Sequence, residues 1–365
     1  MKKVGLLTMP LIDNYGGIIQ IAALYSVIKN LGHEPILIDK KYNLSNSKVL
    51  LKKVLSNNPF YKLFDYNNHT QRKRNLGKID KFISEYFLNK THEIFNEFDL
   101  VNECKNMDTL VVGSDQVWRY KYVNRDLDVY FLSFAKDNQR RISYAASFGV
   151  DFWEGNEESK KNVIKLLNKF DAISVREKEG IELLISDFSV DNGIQVLDPT
   201  LLPKRSFYDE IIESENHLKK INLFNYVLDL TEPKSKFIEN FAKSINLDVD
   251  MIHLEEDVKK SNTKPSISEW LYHFKNSEFV ITDSFHGTVF SIIYNKQFIS
   301  IANKNRGVSR FASLLKQLGL EDRLIFEDSI FSINELKDKK IDYDLVNKRL
   351  ESLREKSIEF LRENV

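Results

Sequence analysis

The stretch FVITDSFHGTVFSIIYNKQFISIA, residues 279–302, shows the pattern on which the fold of this chain depends. Two short apolar runs, 279–281 and 298–301, predict buried strands at 279–283 and 298–301, and the apolar run 289–294 between them predicts a core helix at 287–294. A strand, a helix and a strand in this order predict a βαβ unit with parallel strands. A polar cluster stands where the first strand ends: Asp283, Ser284, His286 and Gly287.

The same alternation runs through most of the chain and predicts the α/β class. Further strands are predicted at 4–9, 35–39, 109–113, 142–147, 172–175, 223–228 and 249–253. Further helices are predicted at 17–31, 79–88, 160–170, 178–185, 234–244, 266–275 and 308–318. Because the alternation restarts after the polar stretch 209–220, we expect two Rossmann-like domains that face each other across a cleft, as in GT-B glycosyltransferases.

The expected domain bounds are 1–205 for the first domain, on the acceptor side, and 216–335 for the second, which carries the DSFHG motif. A final helix, within 340–365, places Val346, Leu350, Leu353 and Leu361 at helical spacing behind Asp344, which we expect to be its N-cap. We predict that this helix packs across the seam between the domains.

Composition excludes several classes of protein. A hydrophobic content of 42% excludes a disordered chain, and 53 basic residues balance 53 acidic ones, so no nucleic-acid partner is expected. The single cysteine, Cys104, indicates a reducing compartment. No apolar run reaches the length of about 18 residues that a membrane-spanning helix needs. Pro10 and Asp13 interrupt the N-terminal apolar run, which therefore indicates a strand and not a signal peptide. We expect a cytoplasmic protein.

The segment 43–78 mixes lysines and arginines with leucine, phenylalanine and tyrosine. A solvated helical excursion is the plain interpretation. The alternative is a lid that contacts the acceptor or the inner face of a membrane.

Polar residues follow the ends of two strands in the first half. In open α/β sheets, ligands bind where strands end and helices begin. The stretch 8–24 supplies Asp13, Asn14, Tyr15 and Gly16, and the stretch 110–120 supplies Ser114, Asp115, Gln116, Trp118 and Arg119. Carboxylate, amide and aromatic side chains that follow one another closely in sequence are suited to binding a sugar. These residues are therefore predicted to bind an acceptor.

Basic residues follow other strand ends and indicate an anionic ligand. Arg176 stands beside the start of a helix, whose partial positive charge favours an anion and repels a cation. A bound phosphate or carboxylate would compensate both positive charges. Glu177 and Glu179 are the alternative partners for this charge. His286 also stands at a helix start, and Lys304 and Arg306 follow the next strand. Neither metal-ligand spacing nor a phosphate-binding P-loop is present in the sequence.

The ordered motifs NYGGIIQIAAL (14–24), VVGSDQVWR (111–119), SYAASFG (143–149), ISVRE (173–177), VLDPTLL (196–202) and TDSFHGTVFSIIYNKQFI (282–299) resemble the polysaccharide pyruvyl transferase family. The resemblance covers roughly residues 1–318. It implies transfer of the enolpyruvyl group of phosphoenolpyruvate onto two hydroxyls of a sugar, with formation of a pyruvate ketal and release of phosphate. It also implies a cell-surface glycan or its precursor as acceptor, phosphoenolpyruvate as co-substrate, and no metal or other cofactor.

The resemblance also assigns roles to residues. Arg176 would bind the donor, His286 would be the essential histidine, and Lys304 or Arg306 would be the basic residue after the next strand. Other members have an arginine two residues before the histidine, where this chain has Ser284; Arg306 or Arg310 would then supply the charge. Ser284 and Gly287 complete the predicted donor site.

The chemistry fits these roles. Phosphoenolpyruvate carries about three negative charges, which arginine and lysine can bind. Its C2 becomes electrophilic when C3 is protonated, and His286 is the candidate acid. Asp115 or Asp13 would be the base for the attacking hydroxyl.

Two other functions stay open. A GT-B glycosyltransferase with a nucleotide-sugar donor could use Glu255 or Glu256 to bind ribose. A non-catalytic saccharide-binding protein would keep the motif at 113–119 without needing Arg176 and His286 together. The acceptor sugar, its attachment to lipid, nucleotide or polymer, and the oligomeric state are not fixed by the sequence.

Overall fold

A computed structural model describes residues 1–12, 14–41, 77–212, 221–251, 265–302, 307–327, 336 and 338–365. The described chain forms two compact units. The first contains the described parts of Met1–Pro199 together with Ile358–Val365, and the second contains the described parts of Thr200–Leu254 and Pro265–Ser357.

The first unit is built on a parallel sheet with the strand order β2-β1-β3-β4-β5-β6. Its strands are β1 (Lys3–Leu7), β2 (Glu34–Leu37), β3 (Thr109–Val112), β4 (Arg140–Ala146), β5 (Ala172–Val175) and β6 (Ile194–Gln195). The central strands β3 and β5 are buried along their whole length, in agreement with their mostly apolar sequences.

Helices connect these strands. They are α1 (Tyr15–Asn30), α2 (77–86), α3 (Glu97–Cys104), α4 (Tyr120–Val123), α5 (Leu127–Tyr130), α6 (Glu157–Leu167) and α7 (Lys178–Ser186). Helix α1 is buried along most of its length and begins at the cap Asn14, whose side chain accepts a hydrogen bond from the Gly17 N–H.

The second unit is built on another parallel sheet, with the order β11-β10-β9-β7-β8. Its strands are β7 (Ile221–Tyr226), β8 (Val249–Met251), β9 (Ser277–Thr282), β10 (Gln297–Ala302) and β11 (Leu324–Phe326). Its helices are α8 (Arg205–Ile211), α9 (Glu232–Ser244), α10 (Ile267–Asn276), α11 (Phe285–Ile293) and α12 (Val308–Leu318), with a short 3-10 turn at Glu321–Arg323.

The last helix, α13 (Tyr343–Asn364), lies within the predicted range, and the division between the units falls inside it, after Ser357. Its predicted apolar residues Val346, Leu350 and Leu361 are buried. The prediction of Asp344 as the cap is wrong: the Asp342 carboxylate accepts hydrogen bonds from the N–H groups of Asp344 and Leu345. Packing of this helix across a seam stays a prediction.

The predicted fold class, two Rossmann-like α/β units, is confirmed. Helix α11 begins earlier than predicted, at Phe285, because Ser284 caps it. Several elements were not predicted: the short strands β6 and β11, the helices α3, α4 and α5, and helix α8, which includes residues 209–211 of the stretch expected to be a connection. In the described part of the chain, no helix is both long enough and apolar enough to span a bilayer.

Candidate active site

The carboxyl ends of β1 and β3 meet at the switch point of the first sheet, where the strand order reverses. The structure brings two predicted site residues together there: Asn14 Nδ2 donates to Asp115 Oδ2 over 3.3 Å. Asn14 is exposed, whereas Asp115 is 8% exposed. Tyr15 and Gly16 are buried in the first turn of α1, so they support the loop from behind and present little surface to an acceptor.

Asp115 is held firmly at this edge. Its backbone has a φ of 70°, and its Oδ1 accepts a hydrogen bond of 2.9 Å from the Gln116 N–H. The preceding Gly113 has a φ of 135°, and a Cβ there would lie 2.0 Å from the carbonyl oxygen of Tyr144. The turn therefore needs glycine at this position, and it fixes the Asp115 carboxylate beside Asn14, where it could accept a hydroxyl proton.

Ser114 and Trp118 were predicted to bind the acceptor, and the structure corrects both predictions. Neither residue has exposed surface. Ser114 Oγ donates toward Asp198 Oδ2 over 3.2 Å. The Trp118 indole stacks on Phe131 at 4.9 Å and donates from Nε1 to the Tyr130 carbonyl oxygen. Both side chains therefore belong to the interior of the first unit in this conformation.

Arg119 and Gln116 lie closer to the surface. Arg119 Nη1 donates to Gln116 Oε1 and to the hydroxyl of Tyr122, each over 3.0 Å. Arg119 Nη2 lies 3.6 Å from Glu154 Oε1, and the guanidinium stands over the ring of Tyr122 at 4.5 Å. Arg119 is 6% exposed, so it offers little surface to a ligand. Its contacts with Tyr122 support that side chain from the interior.

Arg176, at the carboxyl end of β5, is buried among carboxylates. Its Nη1 lies 2.9 Å from Asp198 Oδ2, and its Nε lies 3.6 Å from Glu177 Oε2. Desolvation, the largest single effect, lowers the pKa of the guanidinium, but the neighbouring carboxylates outweigh it and the net pKa is raised.

These pairs contradict the argument that Arg176 needs a bound anion to compensate its charge, since Asp198 and Glu177 already compensate it. Glu177 was one of the two carboxylates predicted as alternative partners for this charge. Donor binding by Arg176 rests on the family resemblance alone and stays a prediction.

Glu177 connects Arg176 to the end of β4 through its two carboxylate oxygens. Its Oε1 accepts hydrogen bonds from Ser147 Oγ over 2.6 Å and from the Gly149 N–H over 3.2 Å. The ends of β3, β4 and β5 and the segment after β6 are thus joined by one buried polar network: Ser114, Asp198, Arg176, Glu177, Ser147 and Gly149.

In the second unit, the sheet order reverses between β7 and β9, and Asp283 lies at that switch point. Its Oδ1 accepts from the Leu228 N–H over 2.6 Å, and its Oδ2 from the Asp229 N–H over 3.1 Å. The ammonium of Lys234, from α9, lies 3.0 Å from Oδ2, and both side chains are buried. Asp283 therefore fixes the loop after β7, a structural role.

The next residues form the start of α11. Ser284 Oγ accepts from the Gly287 N–H over 3.3 Å and caps the helix. A Cβ on Gly287 would lie 2.2 Å from Thr282 Oγ1, so the glycine lets the helix start pack tightly on β9. His286 is 7% exposed in this first turn. The predicted donor residues Ser284, His286 and Gly287 therefore share one helix start.

Arg310 supplies a cation in the same unit. It belongs to the first turn of α12, is 7% exposed, and its guanidinium carbon stands 5.5 Å from the ring centroid of Phe285. The Phe285 ring lies edge-to-face against the His286 imidazole, with centroids 5.4 Å apart. Phe285 thus contacts both the histidine and the arginine.

Several predicted residues fall outside the described residues: Asp13, Lys304, Arg306, Glu255, Glu256 and most of the segment 43–78. Sequence reasoning also missed the structural partners Asp198 and Lys234. A signal for Asp198 was present, because an acidic residue follows β6 at the same edge of the sheet as Arg176. Lys234 lies within a predicted helix and gave no comparable signal.

Comparison with solved structures finds a similar fold in a sugar-nucleotide enzyme. The structure of UDP-GlcNAc 2-epimerase from Neisseria meningitidis, bound to UDP-GlcNAc, matches with a TM-score of 0.54 at 11% identity, over 100% of each chain. The structure of Arabidopsis thaliana UGT89C1 with UDP matches with a TM-score of 0.48 at 12% identity, over 98% of this chain and 95% of that one. At such identities the likeness concerns the fold alone.

Comparison with curated proteins gives no match. A family model, described as polysaccharide pyruvyl transferase, matches residues 14–305. This range includes Asn14 and helix α1, the Asp115 turn, Arg176 and the start of α11. The chain belongs to the polysaccharide pyruvyl transferase family.

Proposed function

We propose that this protein transfers the enolpyruvyl group of phosphoenolpyruvate onto two hydroxyls of a sugar, forming a pyruvate ketal and releasing phosphate. The proposed acceptor is a cell-surface glycan or its precursor, and the proposed location is the cytoplasm. Family membership supports the reaction class. The observation that carries the proposal for the site is the position of His286, buried in the first turn of α11 beside the ring that Arg310 covers.

This helix start suits an anionic donor. The first N–H groups of a helix carry partial positive charge, which favours a carboxylate or phosphate. Arg310 adds a full positive charge with planar donors that match either group. We therefore assign donor binding to the start of α11 and to Arg310, with Lys304 and Arg306 as further candidates from the sequence. Donor binding by Arg176 stays a prediction from the family resemblance.

The reaction balances with one acid and one base. His286 gives a proton to C3, which becomes a methyl carbon, and C2 becomes electrophilic. A first sugar hydroxyl forms a bond to C2 as Asp115, or Asp13, takes its proton. A second hydroxyl forms the other C2–O bond while the C2–O bond to phosphate breaks. Of the two hydroxyl protons, one replaces the proton that His286 gave and the other leaves with phosphate. The cationic groups stabilise the phosphate as it leaves.

Calorimetry tests the choice of donor. Phosphoenolpyruvate is titrated into wild type, Arg310→Gln and Arg176→Gln, and UDP-GlcNAc is titrated into wild type. We expect wild type to bind phosphoenolpyruvate, and Arg310→Gln to bind it about 10- to 100-fold more weakly, the usual effect of losing a charge-assisted hydrogen bond. An equal loss in Arg176→Gln would support the donor role that the resemblance predicts for Arg176.

Other outcomes select the alternatives. Binding of UDP-GlcNAc without binding of phosphoenolpyruvate would indicate a glycosyltransferase. Binding of glycans but of neither donor would indicate a saccharide-binding protein.

A further inference from the structure

A cavity of about 300 Å³ lies in the first unit, beside the segment that follows β1. Met9, which follows β1, lines it on one side, and the segment after β3 lines it on the other, with Tyr122, Asn124, Arg125 and Asp126. Cavities of about 300–1,000 Å³ are those that hold small ligands in proteins. None of these residues was among the predicted site residues.

Tyr122 is the notable side chain of this cavity, because it is an aromatic residue that is 45% exposed yet held in place. The Arg119 guanidinium covers the ring at 4.5 Å, and Arg119 Nη1 donates to the Tyr122 hydroxyl. Arg119 is fixed in turn by Gln116 and Glu154. The ring therefore needs little ordering when a ligand binds, which favours affinity.

The polar groups around this ring suit hydroxyls. Asn124 offers both a donor and an acceptor. Asp126 offers carboxylate oxygens, and its Oδ2 is held by Lys40 Nζ over 3.1 Å. A pyranose presents apolar C–H groups on its faces and hydroxyls around its rim. An aromatic ring with an amide and a carboxylate nearby matches both features.

We infer that Tyr122 is the platform on which a pyranose ring of the acceptor stacks, in the cavity formed by Met9 and the segment 122–126. This inference rests on the proposed function only in calling the sugar the acceptor. Tyr122 would then be the aromatic residue that contacts the sugar, a role that we predicted for Trp118, which is buried.

A second cavity supports a ligand longer than one sugar unit. It has a volume of about 720 Å³ and shares Asn124, Arg125 and Asp126 with the first. Its other side is formed by α6, with Lys161, Asn162 and Lys165. Two cavities that share a wall fit a ligand of several sugar units better than a free monosaccharide. The acceptor class is therefore an oligosaccharide or a longer glycan.

The test is binding to an array of immobilised mono- and oligosaccharides without phosphoenolpyruvate, for wild type, Tyr122→Ala and Tyr122→Phe. Phe152→Ala is the control, since Phe152 is 59% exposed and lines neither cavity. Thermal unfolding confirms that each variant is folded. We expect wild type to bind some oligosaccharides more tightly than their constituent monosaccharides. Tyr122→Ala should bind them about tenfold or more weakly, as for other aromatic anchors, and Tyr122→Phe and Phe152→Ala should stay close to wild type.

Equal binding by Tyr122→Ala and wild type would overturn the inference, and so would the absence of binding by wild type to every glycan of the array. The donor proposal fails separately. If the array shows the expected pattern but the protein releases no phosphate from phosphoenolpyruvate with any glycan that it binds, the sugar site stands and the proposed reaction is wrong.

Discussion

Arg176 Nη1 donates a hydrogen bond of 2.9 Å to Asp198 Oδ2, and both side chains are buried at the carboxyl edge of the first sheet. The contact joins the end of β5 to the segment after β6. Ser114 extends it to the end of β3, because its Oγ donates to the same carboxylate oxygen. The edge that carries Asp115 is therefore braced by a buried ion pair.

Removing Asp198 should destabilise the first unit strongly. Asp198→Ala leaves a buried guanidinium with one of its carboxylates gone, and breaking a buried pair costs about 3–5 kcal/mol. Urea unfolding followed by circular dichroism measures the change. Glu182→Ala is the matched control, because Glu182 pairs with Lys178 at 3.3 Å on the surface, where such a pair contributes about 0–1 kcal/mol. Equal effects in the two variants would show that the buried pair has no special part in stability.

Gly287→Ala should destabilise the second unit. The new Cβ would lie 2.2 Å from Thr282 Oγ1, which donates to the Tyr226 carbonyl oxygen and accepts from the Ser284 N–H. Because Thr282 is held by both bonds, we expect an overpacking cost of about 1–3 kcal/mol. Gly77→Ala is the control, since no described atom lies within 4 Å of a Cβ added there. A neutral or stabilising Gly287→Ala would contradict the tight contact between α11 and β9.

Glu179 gives a pH-dependent prediction. Burial, the largest effect, raises its pKa above the ordinary 4.5, and neighbouring acidic residues raise it further. Above pH 4.5 the folded protein therefore holds a proton that the unfolded chain has lost, and stability falls as the pH rises through the folded pKa.

Glu179→Gln removes this loss. The free energy of unfolding of the variant minus that of wild type should be larger at pH 8 than at pH 4. The difference should be less than about 1 kcal/mol, because water screens a partly exposed group. Thermal unfolding at both pH values measures it. A relative stability that is the same at both pH values would contradict the raised pKa.

Cys104 should be unreactive in the folded protein. The thiol is 1% exposed, and burial raises its pKa from 9.0 to about 12. At pH 8 this lowers the thiolate fraction by about a thousandfold, and the thiolate is the reactive form. The rate of reaction with a disulfide reagent should therefore be very slow in buffer and fast in denaturant. Because the chain has one cysteine, the signal comes from this residue alone. Fast reaction in buffer would place Cys104 outside the core.

The strands were predictable where a local run of apolar residues marks them in the sequence. β3, β5 and β10 are buried runs bounded by polar residues, so their positions followed from the apolar pattern. β6 has only Ile194 and Gln195, and neither is buried, so no apolar run marks it. Asp344 was mistaken for the helix cap because Asp342 offers the same side chain two residues earlier, and spacing alone does not choose between them.

The site was predictable at the level of strand ends, because parallel strands bring their carboxyl ends to one edge of a sheet. Asn14 and Asp115 meet for this reason. Side-chain direction was not predictable. Trp118 and Tyr122 both follow β3, yet one ring is buried and the other is 45% exposed, and this depends on contacts with Phe131 and Arg119. Of the two partners of Arg176, Glu177 was among those predicted, whereas Asp198 was missed because it lies on a different segment, after β6.

The most direct test of the central claim is the release of phosphate from phosphoenolpyruvate in the presence of each glycan that the protein binds, for wild type, His286→Ala and His92→Ala. His92 is the control because its side chain is 93% exposed. We predict release that depends on the glycan, falls by about 10²- to 10⁴-fold in His286→Ala, as for loss of a general acid, and is unchanged in His92→Ala. Release at the wild-type rate by a folded His286→Ala protein would contradict the assignment of His286 as the acid, and no release by wild type with any bound glycan would contradict the proposed reaction.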